Sequence, residues 1–131
     1  MLPESDRIRL RHMFEAAQQA RTFALGRNRT ELDSDRMLSF ALVRAIEIIG
    51  EAASRVTEST RNEFPDLPWS AIVSMRHRLV HAYFDTDLDR VWDTLTEELP
   101  LLIEKAQGNP GRRIIECPLK GVSQCLLANS R

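Results

Sequence analysis

Apolar residues recur at helical spacing over most of the chain, beginning near the N-terminus. Steps of three, four and seven residues predict a first amphipathic helix over about residues 6–25, with Gly26 as its C-cap. Its predicted apolar face comprises Leu10, Met13, Phe14, Ala17 and Ala24. A second helix of about 23 residues follows, capped by Asp33 or Ser34. Its predicted apolar face comprises Met37, Leu38, Ala41, Leu42, Ala45, Ile48, Ile49, Ala52 and Val56.

Prolines and acidic residues divide the second half of the chain into shorter elements. A helical turn over residues 59–63 precedes the segment 64–69, whose prolines exclude regular helix. Ser70 is a suitable N-cap for a third long helix, which runs to about residue 84 along a stripe of Ile72, Met75, Leu79 and Tyr83. Residues 85–87 end that helix and cap the next, in which Pro100 should cause a bend or detach the last turn. Since no stretch alternates between apolar and polar residues, we predict an all-α, up-down bundle of four to five helices.

The chain has 131 residues, which is enough for one compact domain but not for two. Because helical periodicity ends after Lys105, we predict a bundle domain over residues 1–106 and an extension without a clear pattern over residues 107–131. Cys117 and Cys125 fit neither a zinc spacing nor a disulfide framework, which favours a reduced, cytoplasmic protein. No apolar run approaches the roughly 18 residues of a membrane span, and no signal peptide is expected.

One segment carries the candidate chemistry. The whole chain has a net charge of −1, so any contact with nucleic acid needs a local basic surface. The window 67–84 contains no Asp or Glu but holds Arg76, His77, Arg78 and His81. Arginine presents a fork of donors to phosphate oxygens, and a histidine with a pKa of about 6.5 exchanges protons near neutrality. A base for the ribose 2′-hydroxyl and a cation for the phosphorane are sufficient to cleave RNA without metal.

Helix geometry limits how a single chain could use these side chains. On a regular helix, residues 76 and 81 point about 140° apart, whereas residues 77 and 81 share a face. Arg76 and His81 could meet at one phosphate if two copies met across a two-fold axis. A kink near Arg78 is the other solution.

The segment Arg76-x-x-x-x-His81-x-Tyr83 resembles the R-x-x-x-x-H-x-Y motif of HepT-like toxins, a branch of the HEPN ribonuclease superfamily. The surrounding sequence agrees with this resemblance, which covers about residues 5–105. The agreeing segments are Ile48–Ala53, Phe64–Trp69 and Asp87–Trp92.

The resemblance implies a dimeric, HEPN-like bundle that acts as a metal-independent RNA endonuclease and needs no cofactor. It would be the toxin of a type VII-like toxin–antitoxin system, whose partners are RNA, a minimal nucleotidyltransferase antitoxin and a second copy of the chain. Arg76 and His81 would be the catalytic pair. His77 stands where the family usually has another polar residue and would support them. Tyr83 would accept AMP from the antitoxin, which blocks the cleft.

Other interpretations of these residues stay open. The chain could be a non-catalytic helical module that binds a nucleotidyltransferase partner or a nucleotide. His81 could be hydrogen-bonded inside the bundle, and Tyr83 could pack its ring while its hydroxyl reaches the rim. His77 and His81 have the spacing of a helical metal pair, but no acidic residue lies nearby in sequence as a third ligand, so we expect no metal site.

Five further residues have simpler structural explanations. His12 lies among arginines and is expected on the surface. Glu47 and Glu51 are expected to form a polar edge of the second helix, and Trp69 and Trp92 to anchor the core.

Overall fold

The structure, a computed structural model, describes residues 2–82 and 85–107, with the backbone alone at residues 76, 78–82 and 85–86. Its helices are α1 (Glu4–Phe23), α2 (Glu31–Ser34), α3 (Arg36–Ser54), α4 (Glu58–Glu63), α5 (Trp69–Leu79), α6 (Leu88–Asp93) and α7 (Leu99–Gln107). A π-helical turn, Thr94–Glu98, joins α6 to α7. Helix α3 packs against both α1 and α5, and α7 packs against α1. The predicted all-α bundle is therefore confirmed.

A short antiparallel pair of strands departs from the helical pattern. Strand β1 (Val80–Ala82) follows α5 directly and pairs with β2 (Asp85–Thr86), which leads into α6. The partners across the pair are Val80 with Thr86 and Ala82 with Asp85. The third long helix thus ends at Leu79, and the predicted continuation to about residue 84 is wrong.

The core lies between the apolar faces of α1, α3, α5 and the α6–α7 segment. Among its fully buried side chains are Phe14, Leu10, Met13, Leu42, Ile46, Ile49, Ile72, Met75 and Leu99. The predicted apolar face of α3 is largely confirmed. Two residues differ: Met37, which was assigned to that face, is 83% exposed, and Ile46, which was not, is fully buried. Met37 lies in the first turn, beside the stripe that begins at Leu38, so the helix rotates it away from α1 and α5. None of the described helices is both long and apolar enough to cross a membrane.

The predicted start of α3 needs correction, and the predicted start of α6 is confirmed. The carboxylate of Asp35, rather than Asp33 or Ser34, caps α3 by accepting the N–H of Leu38 at 3.1 Å. Residues 31–34 instead form the short helix α2. Asp87 caps α6 as expected, because its carboxylate accepts the N–H of Arg90 at 3.1 Å.

Proline determines two further details of the helices. Helix α5 starts at Trp69, before the predicted cap Ser70, because the carbonyl of Pro68 already accepts the N–H of Ile72 at 2.9 Å. Pro100 does not detach the last turn, since α7 continues to Gln107. Proline has no N–H to donate to the carbonyl four residues back. The helix is instead irregular before Pro100, in the π-helical turn, where the Leu99 N–H donates to the Thr94 carbonyl five residues back.

A buried carboxylate that the sequence pattern does not predict ties α1 to α4. Asp6 has no exposed surface, and its Oδ2 accepts the hydroxyls of Thr57 at 2.5 Å and Thr60 at 2.6 Å. Its Oδ1 accepts the N–H of Thr57 and a guanidinium N–H of Arg9, both at 3.3 Å. Burial raises the pKa of Asp6, but these hydrogen bonds and the charge of Arg9 outweigh it and hold the pKa below its usual value.

Candidate functional site

The backbone breaks its helical path inside the predicted motif. Arg76 belongs to the last turn of α5, whereas His81 lies in the middle of β1. The angle of about 140° that separates these positions on a regular helix therefore does not apply. Val80 is β-branched and favours strand geometry, and pairing with β2 stabilises the extended backbone. The break lies close to Arg78, where a kink would let one chain bring the two residues together.

Two predicted features lie outside the described residues. Tyr83 is one of them, so its proposed role as an AMP acceptor stays a prediction. The other is the C-terminal extension, because α7 ends at Gln107 and residues 108–131 are not described. His77 is described, and its side chain is exposed on α5.

One end of the bundle gathers the elements around the motif, and we call it the motif end. It consists of the C-terminus of α1, the short helix α2, the N-termini of α3 and α6, and the C-terminus of α5 with its strands. A guanidinium N–H of Arg27 donates to Asp35 at 3.1 Å and joins the loop after α1 to the start of α3. Arg29 contacts Asp89 at 2.7 Å and joins that loop to α6. The strand pair β1–β2 links the end of α5 to the same place.

The opposite end of the bundle fixes the direction of α5. A guanidinium N–H of Arg61 donates to the Ala53 carbonyl at 2.9 Å, near the end of α3. The same guanidinium lies over the Trp69 ring, 5.7 Å from its centroid, and the indole N–H donates to the carbonyls of Arg61 and Phe64 at 3.2 and 3.0 Å. Helices α3 and α5 are therefore antiparallel. Trp69 packs against the core, as does Trp92, which confirms both as core anchors.

The antiparallel arrangement places the motif along α3. If Trp69 is level with the last residues of α3, ten residues of α5 at about 1.5 Å each bring Leu79 level with about residue 44. Strand β1, which carries His81, then begins beside the N-terminal half of α3. The motif therefore extends from the middle of α3, where Arg76 lies, toward the N-terminal half of that helix.

Ion pairs at the motif end hold the scaffold together. Arg29 donates to Asp89 and to Asp33, and the hydrogen bond to Asp89 is the main reason that the pKa of Arg29 is raised. Asp89 lies in the first turn of α6 and is exposed, so this ion pair joins the loop before α2 to the start of α6. The guanidinium of Arg29 therefore links α2 and α6 through its ion pairs with Asp33 and Asp89.

The remaining candidates have structural roles. His12 is exposed on α1, as predicted. Glu47 pairs with Arg44 at 3.4 Å and Glu51 with Arg55 at 2.9 Å, which confirms a polar edge on α3. Among the side chains that the structure describes, no three His, Cys, Asp or Glu residues group as metal ligands would.

Comparison with known proteins identifies the family. The model of the family described as ribonuclease HepT-like matches residues 13–108, which include the whole motif. A candidate RNase of Methanocaldococcus jannaschii is 31% identical over 95 residues, covering 72% of this chain and 87% of the relative. A protein of Thermococcus cleftensis named as a probable ribonuclease HepT is 40% identical over 68 residues, covering 52% of this chain and 62% of the relative.

Another of the relatives is similar over a comparable length. A candidate RNase of Caldanaerobacter subterraneus is 38% identical over 68 residues, covering 52% of this chain and 61% of the relative. No solved structure matches the chain. The family match over most of the bundle confirms the resemblance and the enzyme class that it implied, so this chain belongs to the HepT-like ribonuclease family.

Proposed function

We propose that this chain is the toxin of a type VII-like toxin–antitoxin system, a metal-independent endonuclease that cuts RNA in the cytoplasm. Arg76 and His81 act together on one phosphodiester in a cleft between two copies of the chain. The observation that supports this most directly is the end of α5 between these two residues, within the region that matches the family. Because Arg76 lies in a helix and His81 in a strand, their side chains are not held at the angle of about 140° that a regular helix would impose.

The proposed reaction needs one base, one acid and one cation. A neutral imidazole of His81 removes the proton of the ribose 2′-hydroxyl, and the oxygen attacks the adjacent phosphorus. The guanidinium of Arg76 donates to the phosphorane oxygens as their negative charge grows. The bond to the 5′-oxygen breaks, and a protonated imidazole supplies the proton of the new hydroxyl. The products are a 2′,3′-cyclic phosphate and a free 5′-hydroxyl.

A dimer would supply these groups without a further residue. A two-fold axis through the cleft places two Arg76 and two His81 side chains around one substrate. One imidazole can then act as the base while the other acts as the acid. His77, exposed one residue after Arg76, is proposed to assist by hydrogen bonding to the phosphate.

Regulation is proposed to act on Tyr83, two residues after His81. A nucleotidyltransferase antitoxin transfers AMP from ATP to the phenol oxygen, which forms a phosphodiester and releases pyrophosphate. The adenylyl group adds bulk and negative charge beside the catalytic pair and so excludes RNA. The intact mass of the protein, expressed with and without the antitoxin, tests this step. Added adenylyl mass that Tyr83→Phe abolishes supports it, and an unchanged mass in both samples contradicts it.

Substitution of the catalytic pair tests the nuclease itself. Arg76→Ala and His81→Ala should each lower the rate of RNA cleavage by about 100-fold or more, because each removes a group that acts in the transition state. The matched controls are His12→Ala and Arg90→Ala, which remove exposed side chains of the same types outside the motif. If folded His81→Ala protein cuts RNA as fast as the parent, the assignment is wrong. If the parent binds its antitoxin but cuts no RNA, the chain is a binding module.

A further inference from the structure

The N-terminal half of α3 carries an exposed aromatic residue between two arginines. Phe40 keeps 63% of its surface exposed, and Met37 one turn before it keeps 83%. Arg36 and Arg44 lie four residues before and after Phe40, so all four side chains share one face of the helix. This face is distinct from the buried one, which runs through Leu38, Leu42, Ala45, Ile46 and Ile49. We call the four residues the α3 platform.

The two arginines are placed to hold a strand against the ring. The guanidinium carbon of Arg36 lies 5.4 Å from the centroid of the Phe40 ring. Arg36 has no ion-pair partner among the side chains that the structure describes, and Arg44 is 72% exposed although it contacts Glu47. The arginines are about 12 Å apart along the helix axis, one on each side of Phe40. Two cations that flank an exposed ring suit a chain that alternates phosphates with flat bases.

The platform lies at the motif end of the bundle. Because α3 and α5 are antiparallel, counting 1.5 Å per residue places Arg44 about level with the end of α5, and Phe40 lies one turn further toward the N-terminus of α3. RNA that is cut at Arg76 and His81 therefore extends past this level of α3. The net charge of −1 gives RNA no general attraction to the protein, so a local site of this kind is needed.

We propose that the α3 platform binds single-stranded RNA, with one base stacked on Phe40 and phosphates on Arg36 and Arg44. The proposal rests on the proposed nuclease function and names the form of its substrate. Stacking on an aromatic ring tolerates any base, so the platform positions the strand without selecting a sequence. A duplex does not bind in this way, since its bases are already stacked on each other.

A protein partner is the other occupant that an exposed apolar surface can have. Leu25, in the turn that follows α1, is 60% exposed at the same end of the bundle. Phenylalanine, methionine and arginine also occur at protein interfaces, but the guanidinium of Arg36 lies over the Phe40 ring and no described acidic side chain neutralises its charge. The charge of the surface therefore favours RNA.

The experiment measures binding without cleavage. A labelled single-stranded RNA of mixed sequence, about ten nucleotides long, is titrated with protein carrying His81→Ala, and the titration is repeated with Arg76→Ala. Adding Phe40→Ala should weaken binding about tenfold, since a stacked base contributes about that much to affinity. Phe40→Trp should preserve it, and Phe23→Ala, which removes an exposed ring from α1, should leave it unchanged. Arg36→Gln should weaken binding and reduce its dependence on salt.

Two outcomes overturn the proposal. One is a failure of the binding test, which is either unchanged affinity in folded Phe40→Ala protein or no binding of RNA by any variant. The other is a change from dimer to monomer in Phe40→Ala or Phe40→Trp, measured by light scattering, which would make the face a protein interface. The result is separate from the nuclease test, because RNA binding in a His81→Ala background does not depend on cleavage.

Discussion

Removing the buried carboxylate of Asp6 should destabilise the whole bundle. Asp6→Ala leaves the Thr57 N–H and the hydroxyls of Thr57 and Thr60 without their acceptor; Thr60 is closed to water, whereas Thr57 is exposed. Hydrogen bonds to a charged group contribute about 1.5–3 kcal/mol each, although such values do not add. The hydroxyls can rotate, and Arg9 is partly exposed and can turn to water. We therefore expect a loss of about 3 kcal/mol in the free energy of unfolding, less than the sum of the separate bonds.

The assay is urea unfolding followed by circular dichroism, with Glu4→Ala as the matched control. Glu4 lies in the same turn of α1 and pairs with Arg7 at 3.4 Å, but both side chains are exposed, so its removal should change stability little. The midpoint of thermal unfolding of Asp6→Ala should fall by about 10 °C. A loss below about 1 kcal/mol would refute the assignment of Asp6 as a structural link between α1 and α4.

The same residue predicts a dependence of stability on pH. The pKa of Asp6 is lower in the fold than in the unfolded chain, so its carboxylate stabilises the fold above the unfolded pKa of about 3.9. This contribution is lost as the pH falls through the lower, folded value. Asp6→Asn should therefore lose less stability than the parent between pH 5 and pH 2. Parallel loss in the two proteins would contradict the lowered pKa.

Two further substitutions test the elements around the motif. Asp87→Ala should lower the free energy of unfolding by about 1 kcal/mol, measured by thermal unfolding, because the Arg90 N–H loses its acceptor. Asp87→Asn should retain most of the stability, and equal losses in the two variants would contradict the capping role. His77→Ala should lower RNA cleavage much less than His81→Ala, and a loss as large as that of His81→Ala would make His77 part of the essential acid–base pair.

Local signals predicted the elements that local interactions determine. The carboxylate cap at Asp87 and the proline-rich break before α5 are set by neighbours within four residues, and both were predictable. The cap of α3 was misplaced by one or two residues because Asp33, Ser34 and Asp35 are all good capping residues. Only the conformation of the preceding turn distinguishes them.

Features that depend on distant residues were not predictable in this way. The partners of Asp6 lie 51 and 54 residues away, so no periodic pattern indicates that its charge is buried. The end of α5 depends on pairing between β1 and β2, whereas the apolar stripe continues past Leu79 and favours helix. The composition of the motif was visible in the sequence, but a kink near Arg78 was only one of two ways to bring Arg76 and His81 together, and the sequence did not choose between them. The level of Phe40 relative to the motif also required the antiparallel packing of α3 and α5.

Mixing two inactive proteins tests the central claim most directly, which is that Arg76 of one copy acts with His81 of the other. Purified Arg76→Ala and His81→Ala proteins are combined, allowed to exchange subunits, and assayed for RNA cleavage. Half of the dimers formed at random are mixed, and each holds one Arg76 and one His81, from different copies, in the shared cleft. Because these dimers lack the second imidazole that acts as the acid, activity should rise above the sum of the two separate proteins but stay below half of the parent's. Activity no higher than the sum of the two separate proteins, despite proven exchange, would contradict a site shared between copies.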